Sequence, residues 1–239
     1  MLPATTSVSL VVKVRDSPFR PPEFVRGPDD SYQLLDGVCA PAYLQIMLTP
    51  LGAFQLLGVP LDELRGRVTD LGDVLGPAGA RFAERVREAA TWRQRFAIVD
   101  EVLGGRASEA TPPSPEVVQA WAMLVASGGR EQIGRVATDV GWSHKHLIQR
   151  FTAQVGLTPK AAARVIRFRR AADRLGRGAP SLARVATESG YADQAHLTRD
   201  FRSLAGVTPG DFLARLRAAA RPRPRQRSRP VHGGQGDRA

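Results

Sequence analysis

The strongest constraint on this chain is a degenerate repeat in its C-terminal half. Val136-Ala137, Gly141-Trp142, His146-Leu147, Phe151, Gly156 and Thr158-Pro159 recur as Val185-Ala186, Gly190-Tyr191, His196-Leu197, Phe201, Gly206 and Thr208-Pro209. The copies are 49 residues apart before the middle of the unit (136 to 185) and 50 apart after it (147 to 197). The second copy therefore carries one extra residue near its central turn. A period of this length marks one supersecondary unit used twice.

The punctuation inside each copy identifies the unit. Glu131 to Thr138 predicts a short helix with Ile133, Val136 and Ala137 on one side, broken by Gly141. Ser143 is a cap for a second helix, in which Leu147, Phe151 and Val155 fall on one face at i, i+4 and i+8. A helix, a tight turn with glycine and a second amphipathic helix make a helix-turn-helix. The small Ala137 suits a close helix crossing, Gly141 suits a left-handed turn residue, and Trp142 closes the core behind it. Ala186, Gly190 and Tyr191 repeat the device, followed by a helix holding Leu197, Phe201 and Leu204. Both units end in Gly-x-Thr-Pro, a cap followed by proline at the first position of another helix.

Between the copies, Val165, Phe168, Ala172 and Leu175 form an apolar stripe on a predicted helix over 159–176, with Arg167, Arg170 and Arg174 on the opposite side. From Pro159 to Leu175 such a rod spans roughly 26 Å at 1.5 Å per residue. That length suits two reading helices set about one DNA turn apart, roughly 34 Å, in successive major grooves.

Charge is distributed accordingly. Residues 1–114 hold 12 Lys and Arg against 14 Asp and Glu, net −2, while residues 115–239 hold 22 against 9, net +13. A basic half beside a near-neutral half points to a polyanionic partner for the basic part.

On these motifs the chain resembles the AraC/XylS family of bacterial transcription regulators. The resemblance rests on Ile-Gly-Arg-Val-Ala-Thr-Asp-Val-Gly-Trp-Ser (133–143), Leu-Ile-Gln-Arg-Phe (147–151), Ser-Gly-Tyr-Ala-Asp-Gln-Ala-His-Leu-Thr-Arg-Asp-Phe (189–201) and Ala-Gly-Val-Thr-Pro-Gly-Asp-Phe (205–212), and it covers about 115–217. It implies that the second helix of each unit reads bases. That role falls on His144, Lys145, Ile148 and Gln149 in the first unit and on Gln194, Thr198 and Arg199 in the second. Chemically, Arg199 suits bidentate bonds to guanine, Gln149 and Gln194 suit adenine, and Ile148 suits a thymine methyl. Arg150, Arg202 and Lys145 suit phosphates, which position a protein without specifying sequence. Ser143 and Asp193, at the helix starts, complete the candidate DNA-binding set. The resemblance also admits RNA polymerase, a small-molecule effector and a second copy of the chain as partners, and it implies no cofactor and no enzymatic activity. An architectural DNA binder with little sequence preference is the competing reading.

Family members usually carry a cupin-like β-barrel before this module, which predicts an α+β chain: a reduced cupin-like β domain with helices, then an all-α double helix-turn-helix domain. Strand candidates are Val8–Val14, Tyr32–Leu35 and Ala42–Thr49, with prolines and glycines between them marking turns. Helices are expected at 50–58, 77–90 and 91–103, and Gly104 to Pro115 reads as a linker. The expected division is a regulatory or dimerising domain over 1–107, a linker over 108–115, a DNA-binding domain over 116–219 with units at 131–154 and 182–205, and a disordered basic tail over 220–239. Helices within 77–103 have apolar faces, including Phe82, Val86 and Phe96, that serve either self-association or packing within the domain.

Other classes fit poorly. The single cysteine, Cys39, excludes an internal disulfide and a multi-cysteine zinc site, including the thiolate set of DNA-repair alkyltransferases that share this helical module. His144 and His146 stand two apart on a helix and face different ways, so they are no metal pair, and His146 and His196 suit packing. No Ser/His/Asp arrangement or phosphate-cradling glycine loop stands out. No apolar run reaches the roughly 20 residues of a membrane span, and a cytoplasmic location is expected.

Overall fold

β1 (Val8–Lys13) organises the N-terminal half, since all six of its residues are buried. It pairs on one side with β2 (Glu23–Arg26) and on the other with β3 (Tyr43–Leu48), and β4 (Val68–Asp70) adds to β2. All neighbours are antiparallel in the order β3-β1-β2-β4. Leu10 stands opposite both Val25 and Ile46, and alternation collects Val8, Leu10, Val12, Val25 and Leu44 on one face. That face packs with α1 (Pro50–Leu57), a 3-10 turn (Leu61–Leu64), α2 (Leu71–Leu75), α3 (Pro77–Glu88) and α4 (Trp92–Glu109) through Leu57, Leu61, Leu71, Phe82, Val86 and Val99. The computed structural model describes residues 2–15, 21–34, 42–178 and 181–220, and its class is α+β as expected. Cys39 and the arginines of the expected tail from Arg221 onward lie outside these residues.

Three local expectations need correction. Tyr32–Leu35 is no strand over its described residues, where Gln33 alone makes an isolated bridge to Leu2. β2, only four residues long, occupies a stretch that the sequence marks with turn residues, and β4, three residues long, falls where no strand is expected. The linker expected from Gly104 is helical as far as Glu109, which leaves coil only at 110–114. Arg106 explains the extension: its guanidinium donates to the terminal carbonyls of α1, Leu56 O at 2.6 Å and Leu57 O at 3.4 Å. Those carbonyls have no partner within α1, so the contact outweighs the roughly 1 kcal/mol that each mid-helix glycine costs.

The C-terminal half is helical: α5 (Pro115–Ala126), α6 (Ile133–Asp139), α7 (His144–Val155), α8 (Pro159–Gly176), α9 (Leu182–Ser189), α10 (Gln194–Ala205) and α11 (Pro209–Ala220). Its core runs unbroken from Val117 and Leu124 through Val136, Leu147, Phe151 and Phe168 to Val185, Leu197 and Phe201. α8 lies along the middle and packs against α5 and α7 on one side and α9, α10 and α11 on the other. The arginine side of α8 is also partly covered. Arg167 lies over the Tyr191 ring at 5.6 Å, and Arg174 pairs with Glu188.

The halves meet at the C-terminal ends of α7 and α10. The Ala4 amide donates to Leu204 O at 2.7 Å, and Ala4 is fully buried in the helical core. Gly156 ends α7 in the left-handed conformation (φ 81°), where an added Cβ would lie 2.3 Å from Pro28 and 2.8 Å from Leu61 O. Gly156→Ala therefore combines backbone strain of about 1–2 kcal/mol with a clash against a backbone oxygen. Urea denaturation should show a loss of at least about 1 kcal/mol, while the corresponding Gly58→Ala, with open space around it, should show only the strain.

Candidate nucleic-acid interface

The two units share one turn design with one difference. Gly141 (φ 72°) and Gly190 (φ 82°) are left-handed, and the next amide returns to the first helix, Trp142 N to Ala137 O at 3.0 Å and Tyr191 N to Ala186 O at 2.9 Å. Closing the turn this way needs a residue free of Cβ strain at that position. In the first copy Ser143 follows at once as the cap of α7, its hydroxyl accepting from His146 N at 3.2 Å. In the second copy Ala192 intervenes before Asp193 caps α10, accepting from His196 N at 2.6 Å. Ala192 is the extra residue of the repeat.

The histidines of both units pack on the turn aromatics. His146 meets Trp142 edge to face at 4.5 Å between ring centres, and His196 meets Tyr191 likewise at 5.1 Å. Each ring thus wedges the first turn of the second helix against the glycine turn, which fits the packing role expected of them.

The candidate reading residues lie on the outer faces of α7 and α10. Leu147, Phe151 and Val155 are buried, while His144, Lys145, Gln149 and Arg150 are exposed and Ile148 is half-buried. On α10, Leu197, Phe201 and Leu204 are buried, and Gln194, Arg199 and Arg202 are exposed. Thr198, half-buried, donates its hydroxyl to Gln194 O at 2.9 Å, and together with Gln194, Ala195, Arg199 and Arg202 it lines a shallow groove. Among the described residues, Lys145, Arg199 and Arg202 make no ion pair, so their charges are not neutralised within the fold. Ser143 and Asp193 each direct a side-chain oxygen to their own helix. Arg150 also has a structural contact, donating to Ser114 Oγ at 3.2 Å.

The second unit contains a polar cluster that the motif pattern did not reveal. Asp200 is buried on the inner face of α10 and accepts from both Nε and Nη2 of Arg164 on α8, each at 2.8 Å. Burial, reinforced by the Asp200 carboxylate, raises the Tyr191 phenol well above its ordinary pKa and keeps it neutral. The available signal was the repeat itself, because Asp200 stands where the first copy has Arg150, an inversion of charge at an otherwise matched position.

The family model of the helix-turn-helix domain matches residues 136–215. No curated protein matches the chain. Among solved structures, the chain is similar to a transcriptional regulator with an AraC-type DNA-binding domain from Chromobacterium violaceum (21% identity, TM-score 0.40, 43% of this chain and 92% of that one). It is also similar to a probable AraC family transcriptional regulator from Rhodopseudomonas palustris CGA009 (25% identity, TM-score 0.39, 43% and 98%). ToxT from Vibrio cholerae O395 aligns over more of the chain (12% identity, TM-score 0.44, 87% and 85%).

The Arg164 contact predicts a stability effect. Arg164→Ala leaves the buried Asp200 carboxylate without its cation and should cost about 1–3 kcal/mol in chemical denaturation. Adding Asp200→Leu to that variant removes the orphaned charge and should recover most of the loss.

Proposed function

We propose that this chain, whose residues 136–215 are an AraC-type helix-turn-helix domain, is a sequence-specific regulator of transcription that binds double-stranded DNA. α7 and α10 enter successive major grooves. The observation that carries this reading is a pair of amphipathic helices braced on a single helix, each with its apolar face buried, that expose Lys145 and Gln149 on α7 and Gln194, Arg199 and Arg202 on α10. α8 has 18 residues, about 27 Å at 1.5 Å each, the scale of one duplex turn. One chain thus supplies what commonly needs a dimer.

Within this reading, His144, Ile148 and Gln149 on α7 and Gln194, Thr198 and Arg199 on α10 face base edges, while Lys145, Arg150 and Arg202 hold phosphates. Ser143 and Asp193 act as caps that point the first turns of these helices at the groove. The sheet and helices before the coil at 110–114 form the regulatory or dimerising part, and the segment from Pro115 onward forms the DNA-binding part.

Selection of bound sites from random duplexes, followed by titration, tests the reading. The full chain should prefer one site by a factor of at least 1,000 over unrelated DNA at physiological salt. A preference near one, with the same steep salt dependence, would favour an architectural binder. At the preferred site, Arg199→Ala should cost about 1–3 kcal/mol and relax selection at one base position. Arg202→Ala should instead weaken all sequences equally.

A further inference from the structure

A strongly charged cleft of about 490 Å³ lies between the C-terminal end of α8 and α9. Its lining includes four arginines, Arg170, Arg174, Arg177 and Arg184, and two acids, Asp173 and Glu188. Glu188 is shared by two of the cations, since Arg174 pairs with it across the cleft and Arg184 binds it at 2.7 Å along α9. These contacts hold the Glu188 carboxyl below its usual range, Arg184 contributing most, so it stays ionised and already engaged. Arg170 and Arg177 make no ion pair among the described residues, and neither does Asp173. Four cations against two anions leave the cleft with a surplus of two positive charges.

Arg170 is also held in place. A Cβ on Gly128, in the turn after α5, would lie 2.1 Å from Arg170 Nη1, so its guanidinium rests directly on that turn. The side chain reaches the cleft mouth already ordered, which lowers the entropy lost when it takes a partner.

We infer that this cleft is a docking point for the DNA backbone, where Arg170 and Arg177 take phosphodiester groups beside the half-site read by α10. The inference rests on the DNA-binding reading above and extends it to residues outside the reading helices. α9 is the first helix of the second unit, the element that crosses the phosphate backbone when the following helix sits in the groove. Guanidiniums suit phosphate oxygens because their paired N–H donors match the geometry. Glu188 is already engaged by Arg174 and Arg184, so Arg170 and Arg177 are the cations left to take a partner, and the surplus over both acids, Asp173 included, favours an anion. The first unit differs here: position 135, equivalent to Arg184, is Arg135, whose ion-pair partners are Asp139 on its own helix and Glu131 just before it.

The test compares the full chain with the double variant Arg170→Gln/Arg177→Gln across a salt series, on the preferred duplex and on an unrelated one. Each lost phosphate contact removes about 0.9 from the slope of log affinity against log salt, so the variant's slope should be shallower by about 1.8 on both duplexes. The ratio of affinities for the two duplexes should stay within twofold of the unaltered chain. Unchanged slopes in a variant whose melting temperature matches the unaltered chain would overturn the inference while leaving the reading helices intact. If the unaltered chain binds no duplex at all, the proposed function itself fails. Titration with inorganic phosphate separates a third case: saturable binding that the variant loses, with slopes unchanged, assigns the cleft to a free phosphate ligand and also overturns DNA docking.

Discussion

The buried face of α8 is the common support of α5, α7, α9, α10 and α11. Phe168 near its middle meets Phe201 of α10 edge to face at 4.9 Å and Phe212 of α11 at 6.2 Å, and all three rings join one core. Burying a phenylalanine stabilises by about 1.5–3 kcal/mol, whereas exposed ion pairs such as those of Arg135 contribute about 0–1 kcal/mol. The aromatic cluster therefore anchors α10 and α11 on α8 more strongly than surface ion pairs do. Because the spacer is packed on both sides, the separation of α7 and α10 is built into the fold.

The N-terminal half adds a second brace at the far ends of the same helices. Leu204 O is among the last carbonyls of α10, which lack partners inside the helix, and the Ala4 amide supplies one. Pro3 and Ala4 are held in turn through Arg26, whose Nη2 donates to Pro3 O at 3.2 Å, and through the paired amides of Thr5 and Asp29. The end of α7 abuts Pro28 and Leu61 through the bare Cα of Gly156. The segments before β1 and after β2, with the 3-10 turn, thus touch both units at the ends remote from their caps.

The parts of the fold that follow from local chemistry were visible in the sequence. Gly141 and Gly190 announce left-handed turns, Ser143 and Asp193 announce helix starts, and the i, i+4, i+8 spacing of Leu147, Phe151 and Val155 separates a buried from an open face. The candidate reading residues are singled out by the family resemblance, and the open face is where they fall. What stayed hidden depends on tertiary contact. β4 has three residues and gains its definition only from pairing with β2. Gly104 and Gly105 signal a break on their own, and α4 passes through them because Arg106 and Gln55 tie its last turns to α1. The arginines of α8 look like a solvated face by periodicity, and only the position of α9 shows that Arg167 covers Tyr191 and Arg174 meets Glu188.

The inversion at positions 150 and 200 means that the two units are anchored to different parts of the molecule. Arg150 and the buried Gln154 hold the first unit to Ser114, with Gln154 accepting from the Ser114 amide at 2.9 Å and donating to its hydroxyl at 2.7 Å. Asp200 holds the second unit to Arg164 on the spacer itself. Ser114 ends the coil at 110–114 that leads from α4, so a displacement of the N-terminal half has a direct mechanical path to α7 through polar contacts. The N-terminal half meets α10 through the Ala4 amide on Leu204 O and the burial of Ala4 in the helical core, while the Arg164–Asp200 pair and the Phe168 cluster hold α10 to α8.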